Sequence, residues 1–509
     1  MQKKKRLLCS AVAGCAITSG LSTGVFAQDS GAGNKYANDL QLVEIVVTAT
    51  KRSESLQEVP LSITALTGQE LSRLGADRFE DYLAQAPGVA FSSAGIVNAK
   101  PTIRGIATSI SPGQGQAPVG IYIDDMPSLT SAFPFANTDL RTFDIERVEI
   151  LRGPQGTLFG SGSAGGAIRV ITNKPDVTER TGKVEVGFGA AKGGDISQNY
   201  NGMINVPIVE DSLALRVVGY YRDEGGYIDN IVQNTKNTGG REAEGGRAML
   251  EYSPQDALTL RLSATFQKDS QDTAAPSGLM NAADGGIDEY DTSGKAPSEI
   301  ELAIYNFTGE YDFDNVGLFV STSYGTTDAR LGKDNSGVVQ YLLETSEEIR
   351  SGQDIQATTF TQEVRLASQH DSPLQWLIGG FYSDQSFDIT ETWSAPSINE
   401  TPVHVNIKAE TREIALFGEM NYALTDRLKL TAGARFFENR GDFYNLSRIF
   451  GDETITEAEP ATETSVTPRF SVAYQANEDL NFYATAAEGY RVGRANFTFP
   501  ADPDTGEEV

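Results

Sequence analysis

From about Lys183 onward the chain alternates apolar and polar residues with a period of two, and no other feature restricts the fold as much. Val184, Val186, Phe188 and Ala190 share one face, and Leu213, Leu215 and Val217 share another. Leu258, Leu260, Leu262, Ala264 and Phe266 form a third stripe. It is continued by Val316, Leu318 and Val320, by Leu374, Trp376 and Ile378, and by Leu428, Leu430, Ala432, Ala434 and Phe436. The connections alternate as well. Short turns fall at 207–212, 253–256, 312–315, 368–373, 423–427 and 475–479, and long polar loops near 222–245, 268–300, 326–357, 386–410 and 439–464. A β-sandwich also alternates in polarity, but it does not sort its connections into short and long so regularly. The pattern predicts up-and-down strands with one end tightly turned and the other elaborated, the form of a transmembrane β-barrel.

About 13 strands are expected, each near the ~9–11 residues that cross a bilayer at a tilt. Bacterial barrels use even numbers, because an open edge cannot sit in lipid. The last strand, about Asp479–Glu488, would run outward, and the tail 502–509 (DPDTGEEV) is not an amphipathic closing strand. The expectation is a truncated, incomplete barrel.

Composition agrees with many strands and turns. Gly numbers 51, Phe 24 and Tyr 19, against two Trp and two His. The net charge of −28 repels nucleic-acid phosphates, so no nucleic-acid partner is expected. Both cysteines, Cys9 and Cys15, lie near the start. Without them only His370 and His404 remain as soft ligands, too few for a transition-metal site. No directly bound cofactor is expected.

The first 27 residues read as an export signal. Lys3–Arg6 is the positive region, a weakly apolar stretch follows, and Val25-Phe26-Ala27 precedes the expected cut. Val12-Ala13-Gly14-Cys15 resembles a lipoprotein box, which leaves acylation of Cys15 open as the competing reading. No other run of ~18 apolar residues exists, so helical spans are not expected. Residues 28–42 form a polar linker, and the β-prone run Glu44-Ile45-Val46-Val47-Thr48-Ala49-Thr50 follows. A compact mixed region comes next. It has helices expected at Thr67–Leu74, with Gly75 as C-cap, and at Arg78–Gln85, and strands at Val119–Ile123, Ile145–Leu151 and Ala167–Thr172.

This mixed region resembles the plug of TonB-dependent outer-membrane receptors. The likeness is carried by residues 101–105 (PTIRG), 119–125 (VGIYIDD), 145–160 (IERVEILRGPQGTLFG), 165–168 (GGAI) and 171–175 (ITNKP). Residues 467–470 (TPRF) and 489–493 (GYRVG) look like late barrel strands of the same family. Ser161-Gly162-Ser163-Ala164 departs from it, since many relatives carry Arg or Asn after the aromatic–Gly pair. The resemblance implies a signal peptide (1–27), a linker with a TonB box (28–52), a plug (53–177) and a barrel (178–509). About 13 of some 22 antiparallel strands would be present around an N-terminal α+β plug.

It also implies function: energised import of a scarce solute, most often a ferric siderophore, with TonB and outer-membrane lipid as partners. Glu44–Thr50 would be the TonB box, a segment able to leave its own fold and add to a partner's sheet edge. Arg104 and Arg152 would face barrel carboxylates, with Glu363 and Glu419 as candidates. Both should point into the lumen, opposite Val364 and Leu366 and opposite Leu416 and Met420. Apical plug segments 92–100, 107–117 and 128–137 would meet the ligand, and Phe133 and Phe135 either stack on it or pack on the wall. Other cargo (vitamin B12, carbohydrate), a passive porin-like barrel and an inactive fragment are the rival readings. A signalling receptor would need a further domain before the box, where only residues 28–43 intervene. Gly160–Gly165 has the spacing of a dinucleotide loop, but a strand follows where a helix is required. Asp502–Gly506 lacks the remaining ligands of a calcium loop. No catalytic constellation stands out, and no enzyme is expected.

Overall fold

In a computed structural model of the chain the described residues are 45–492, apart from 94–95, 97–98, 108–115, 128–139, 231–233, 273–288, 291–296, 335–349, 371, 396–399, 450–451 and 478–479. The export signal, the 28–43 linker, Glu44, Phe133, Phe135 and the tail 502–509 therefore lie outside the described residues.

Residues 46–172 form the plug. Its elements are β1 (Val46–Val47), β2 (Glu54–Ser55), β3 (Ile63–Thr67), α1 (Gly68–Leu74), α2 (Phe79–Leu83), β4 (Val89–Ser93), β5 (Ala99–Ile103), β6 (Val119–Ile123), β7 (Met126–Pro127), β8 (Ile145–Arg152), α3 (Gly156–Phe159) and β9 (Gly166–Thr172). A five-stranded sheet runs β3-β8-β9-β6-β7, with β6 parallel to β9. Thr67 caps α1 through a reciprocal box with Glu70, which satisfies two donors that the first turn would leave open. Helices α1 and α2 each bury an apolar face. Leu71, Phe79, Tyr82 and Leu83 pack with Ile121, Val148, Ile150 and Ile168 of the sheet, and Leu302 and Ile304 of the barrel wall join the same cluster.

The wall is a single 13-stranded sheet in which each strand is antiparallel to the next. Its strands are β10 (Thr181–Ala190), β11 (Ile196–Val209), β12 (Leu213–Glu224), β15 (Arg241–Gln255), β16 (Leu258–Gln271), β18 (Ser298–Asp312), β19 (Val316–Asp334), β20 (Arg350–Ser368), β21 (Leu374–Ala395), β22 (Glu400–Thr425), β23 (Leu428–Ile449), β24 (Asp452–Asn477) and β25 (Leu480–Ala487). A small sheet of β13 (Ile228–Asn230), β14 (Thr235–Thr238) and β17 (Glu289–Tyr290) sits in the connections. Among the described residues β10 and β25 are the sheet's two edges and do not pair.

Alternation along each strand sorts the side chains. Ile414, Leu416, Met420 and Tyr422 of β22 are exposed, while their odd-numbered neighbours Ala415, Phe417 and Glu419 are buried against the plug side. The inner face is otherwise small and polar, with Ser321, Ser323, Thr359, Thr361 and Ser383 all buried. An apolar exterior around a polar interior is the inverse of a soluble barrel and suits a lipid surround.

Two expectations are corrected. The regions 386–410 and 439–464, read as long loops, are mostly hairpin arms, since β21 to β24 are 22 to 26 residues long. Backbone pairing continues past the apolar belt, where the sequence loses its alternation because no lipid selects for it. The β-prone run Glu44–Thr50, described from Ile45 on, is not one continuous strand over 45–50 either. Only Val46 and Val47 pair, with Ser55 and Glu54, and a turn at Ala49-Thr50 follows.

Candidate functional site: the plug–barrel interface

The segment from Ile45 to Glu54 is docked inside the lumen. Val47 and Ala49 are fully buried among Val59, Leu61, Tyr122 and Leu151. The Thr48 N–H donates to Glu149 Oε1 at 2.8 Å. Glu149 is itself fully buried and receives Arg147 Nε at 2.8 Å and Arg169 Nη1 at 2.6 Å. Burial alone would raise the Glu149 carboxyl, but Arg169, the Thr48 amide and Arg147 together hold it below its ordinary value.

Just beyond, Lys51 takes up a left-handed backbone (φ 58°), which aims its side chain at the wall. Its ammonium lies 2.6 and 2.5 Å from the two oxygens of Glu363 on β20, and 4.9 Å from the Phe417 ring centre. Arg365, two residues along β20, bonds Glu363 at 2.9 Å and approaches plug Asp125 at 3.7 Å. Burial pulls the Lys51 pKa from 10.5 down to about 8, against the opposing pull of Glu363. Arg52 donates to the Ser368 and Trp376 carbonyls, and Glu54 meets Lys429 at 3.1 Å. Every charged side chain of this short segment is thus tied to the barrel.

A second set of ties lies on other strands. Arg216 and Arg222 of β12 reach Asp144 and Asp77 of the plug at 2.5 and 2.7 Å. Plug Arg141 reaches Asp269 of β16 at 2.7 Å. Arg247 of β15 donates to the Phe143 and Asp144 carbonyls.

The family-model comparisons decide the identity. A model described as "TonB-dependent Receptor Plug Domain" matches residues 55–167, and one described as "TonB dependent receptor-like, beta-barrel" matches residues 250–506. The chain belongs to the TonB-dependent receptors of the outer membrane. It is 25% identical over 479 residues to the pesticin receptor of Yersinia pestis, covering 90% of this chain and 65% of that protein. It is 26% identical over 255 residues to the ferripyoverdine receptor of Pseudomonas aeruginosa, covering 49% of this chain and 28% of that one. The crystal structure of the ferric yersiniabactin uptake receptor FyuA from Yersinia pestis superposes with a TM-score of 0.74 at 20% identity, over 84% of this chain and 64% of that one. This last likeness speaks for the fold. The chain spans 65% of the length of the pesticin receptor.

Within this TonB-dependent receptor the expected ion pairs are rearranged. Glu363 does bind a plug cation, but the partner is Lys51, not Arg104 or Arg152. Glu419 faces Arg469 of its own wall at 3.2 Å. Arg104 is exposed in a turn after β5, and Arg152 donates to the Pro87 carbonyl at 2.8 Å. Both line a cavity of about 530 Å³ against β24 and β25, on a different stretch of wall from Glu363. The turn after β5, which pairs with β4 outside the five-stranded sheet, and the end of β8 both lie toward that side. Lys51, Arg365, Asp125 and Asp144 were missed by sequence reasoning. Glu363 and Arg365 have lumenal parity on one strand, and that pair of charges on an otherwise small polar face was the available signal.

Proposed function

We propose that this receptor imports a ferric siderophore across the outer membrane, driven by TonB acting on residues 44–50. The observation that carries this reading is the docked segment 45–54. It is β-prone, and among the described residues its only ladder is the two-residue one of Val46 and Val47 with Ser55 and Glu54. It is held to the plug by the Thr48–Glu149 hydrogen bond and the burial of Val47 and Ala49, and it is fastened to the wall through Lys51, Arg52 and Glu54. Such a segment can be withdrawn and added as a strand to a partner's sheet edge without unfolding the five-stranded sheet behind it. Thr48 links it to Glu149 in the centre of the plug, so a shift of the plug on solute binding alters the grip on the box.

The cargo assignment draws on the relatives, which are receptors for pesticin, ferripyoverdine and ferric yersiniabactin. It also draws on an apolar patch in the otherwise polar lumen. Ile300, Ile355, Phe387, Ile389, Ile407 and Phe443 cluster on the inner wall, with Ile96 of the plug against them. A chelate with aromatic or aliphatic parts suits such a patch better than a sugar does. The iron travels inside its chelator, and no residue of the chain is assigned to coordinate it. On this reading the chain is a transport receptor, and neither an enzymatic activity nor a nucleic-acid partner is assigned to it.

The test is uptake of radioiron by a receptor-deleted strain expressing the protein with its barrel complete. A panel of ferric siderophores, with cyanocobalamin and maltodextrin as comparison solutes, is supplied to cells with and without TonB. Accumulation of a siderophore only when TonB is present is the expected result. Accumulation of any solute at equal rates in both strains contradicts the reading.

A further inference from the structure

We propose that Ile96, at the tip of the plug's β4–β5 hairpin, is a placeholder in the apolar seat on the inner wall. It holds the seat until cargo arrives, and only a solute that brings an aromatic or alkyl group of its own displaces it. The proposal rests on the import reading above and adds how the seat is kept and which solutes can take it.

The seat is built by the register of the wall. Ile300, Ala329, Ile355, Ile389 and Ile407 are cross-strand partners in one unbroken row over β18 to β22. Two residues nearer the short turns, Ala357, Phe387, Ala409 and Phe443 form a second row over β20 to β23. Farther in, the same face is small and polar, as at Thr359, Thr361 and Ser383. The outer face shows how high the rows stand. Asp388 and Lys408, which alternate with residues of the rows, pair there at 3.1 Å, and Arg330 pairs with Asp354 at 2.9 Å beside them. Exposed ion pairs do not face hydrocarbon. The seat therefore lies outward of the apolar belt, toward the long connections where a solute enters.

The hairpin carries the second, independent observation. β4 and β5 close at Ser93 and Ala99, which leaves 94–98 as the loop and Ile96 at its midpoint. Hairpin loops favour Gly, Asn, Asp and Ser. An isoleucine at such a tip is stabilised by an apolar partner, and Ile96 is half-buried against the cluster that the two rows form. The base of the hairpin is fixed to the plug instead. The Arg104 N–H donates to the Gly88 carbonyl at 2.7 Å, and the Phe91 ring lies 6.3 Å from that of Phe79 on α2. The tip can thus leave the seat while the base stays in place.

Ile355 and Ile389 are each 1% exposed. A solute gains their surface only by exchange with the side chains that cover it. A hydrophilic chelate cannot offset the exposure of Ile96 to water, whereas an aromatic one buries as much apolar area as it uncovers. The selection works by competition, so the apparent affinity is lowered by the fraction of time that the tip is seated.

A thiol at the tip tests this in a barrel-complete chain whose Cys9 and Cys15 are replaced by Ser. Ile96→Cys is labelled with a membrane-impermeant maleimide on cells lacking TonB, with Lys236→Cys as a separate exposed reference. Labelling is done alone, with a ferric tris-catecholate, and with ferric citrate, which has neither ring nor long alkyl chain. The tris-catecholate should raise labelling at position 96 roughly threefold or more, and citrate should not. Ile407→Thr, which makes the seat less apolar, should raise it by a similar factor with no solute present. Ile96→Ser should tighten binding of the tris-catecholate about tenfold, the gain expected if the tip is seated about nine-tenths of the time. Protection of position 96 by the tris-catecholate, or weaker binding in Ile96→Ser, overturns the proposal by making Ile96 a cargo contact. Labelling left unchanged by Ile407→Thr or by the tris-catecholate overturns it too. A tris-catecholate that displaces the tip yet accumulates equally with and without TonB contradicts the import reading and leaves the placeholder standing.

Discussion

Replacing Glu363 by Gln should release the box, and the size of the effect follows from Lys51. The substitution keeps an acceptor at the same place, so only charge is lost. Two unit charges about 4 Å apart attract by about 4 kcal/mol at an effective dielectric near 20. Lys51 does not lose all of that, because it can shed its proton. With a pKa of about 8 in the docked state, neutralising it at pH 7 costs about 1.4 kcal/mol. Arg365 sits on the same strand as Glu363, so the loss of their 2.9 Å pair weighs on the docked and released states alike and adds nothing to the difference. The docked segment should therefore weaken by about 1.4 kcal/mol, which multiplies the released population roughly tenfold. The assay is maleimide labelling of Ala49→Cys, a site fully buried when docked, in a chain lacking Cys9 and Cys15. A thiol at the exposed Lys236 serves as internal reference. Lys51→Met added to Glu363→Gln should bring labelling back down, since the cost of neutralising a buried ammonium disappears with it. A rise of less than threefold at position 49 in Glu363→Gln would refute the reasoning.

Three other outcomes follow from the same geometry. Between pH 8 and 10.5 the released Lys51 binds a proton that the docked one has lost, so docking strengthens as pH rises through this window and is level below it; normalised labelling at position 49 should fall accordingly. Glu149 acts in the same direction in the acid range. Its depressed carboxyl contributes stability above the ordinary value of 4.5 that is lost as pH falls below it, and proteolysis of the 45–54 segment should rise on acidification. Gly166→Ala should unfold the plug without displacing the barrel from the membrane, because a Cβ there would lie 2.2 Å from the Leu151 carbonyl oxygen and 2.8 Å from Ile103 Cδ1. A loss of more than ~3 kcal/mol in plug stability is expected, read as protease sensitivity with heat-modifiable barrel mobility retained.

The strands were the most legible part of the chain. Val119–Ile123 was located to the residue, and the wall strands were found because lipid on one side and a wet plug on the other force a strict alternation. The long arms of β21 to β24 were not legible, since beyond the lipid their outward faces carry charge pairs such as Arg412 with Asp384 and Lys408 with Asp388 in place of an apolar stripe. At the site, parity alone put Glu363 in the lumen. The plug partner was beyond the sequence because it depends on how the plug sheet is rotated within the wall. Arg104 and Arg152 bracket the same turn region near Pro87 and face β24 and β25, while the positive φ of Lys51 delivers a cation to Glu363 that no periodicity signals.

The central claim is that residues 44–50 serve as a detachable strand on which TonB pulls. The most direct measurement compares a barrel-complete wild type with Val47→Pro, scoring surface binding and energised uptake of the same ferric siderophore. Proline removes the backbone donor that strand addition needs. The account predicts that binding persists while uptake collapses by at least tenfold. Binding and uptake both unchanged would contradict it and leave residues 44–50 as an ordinary part of the plug.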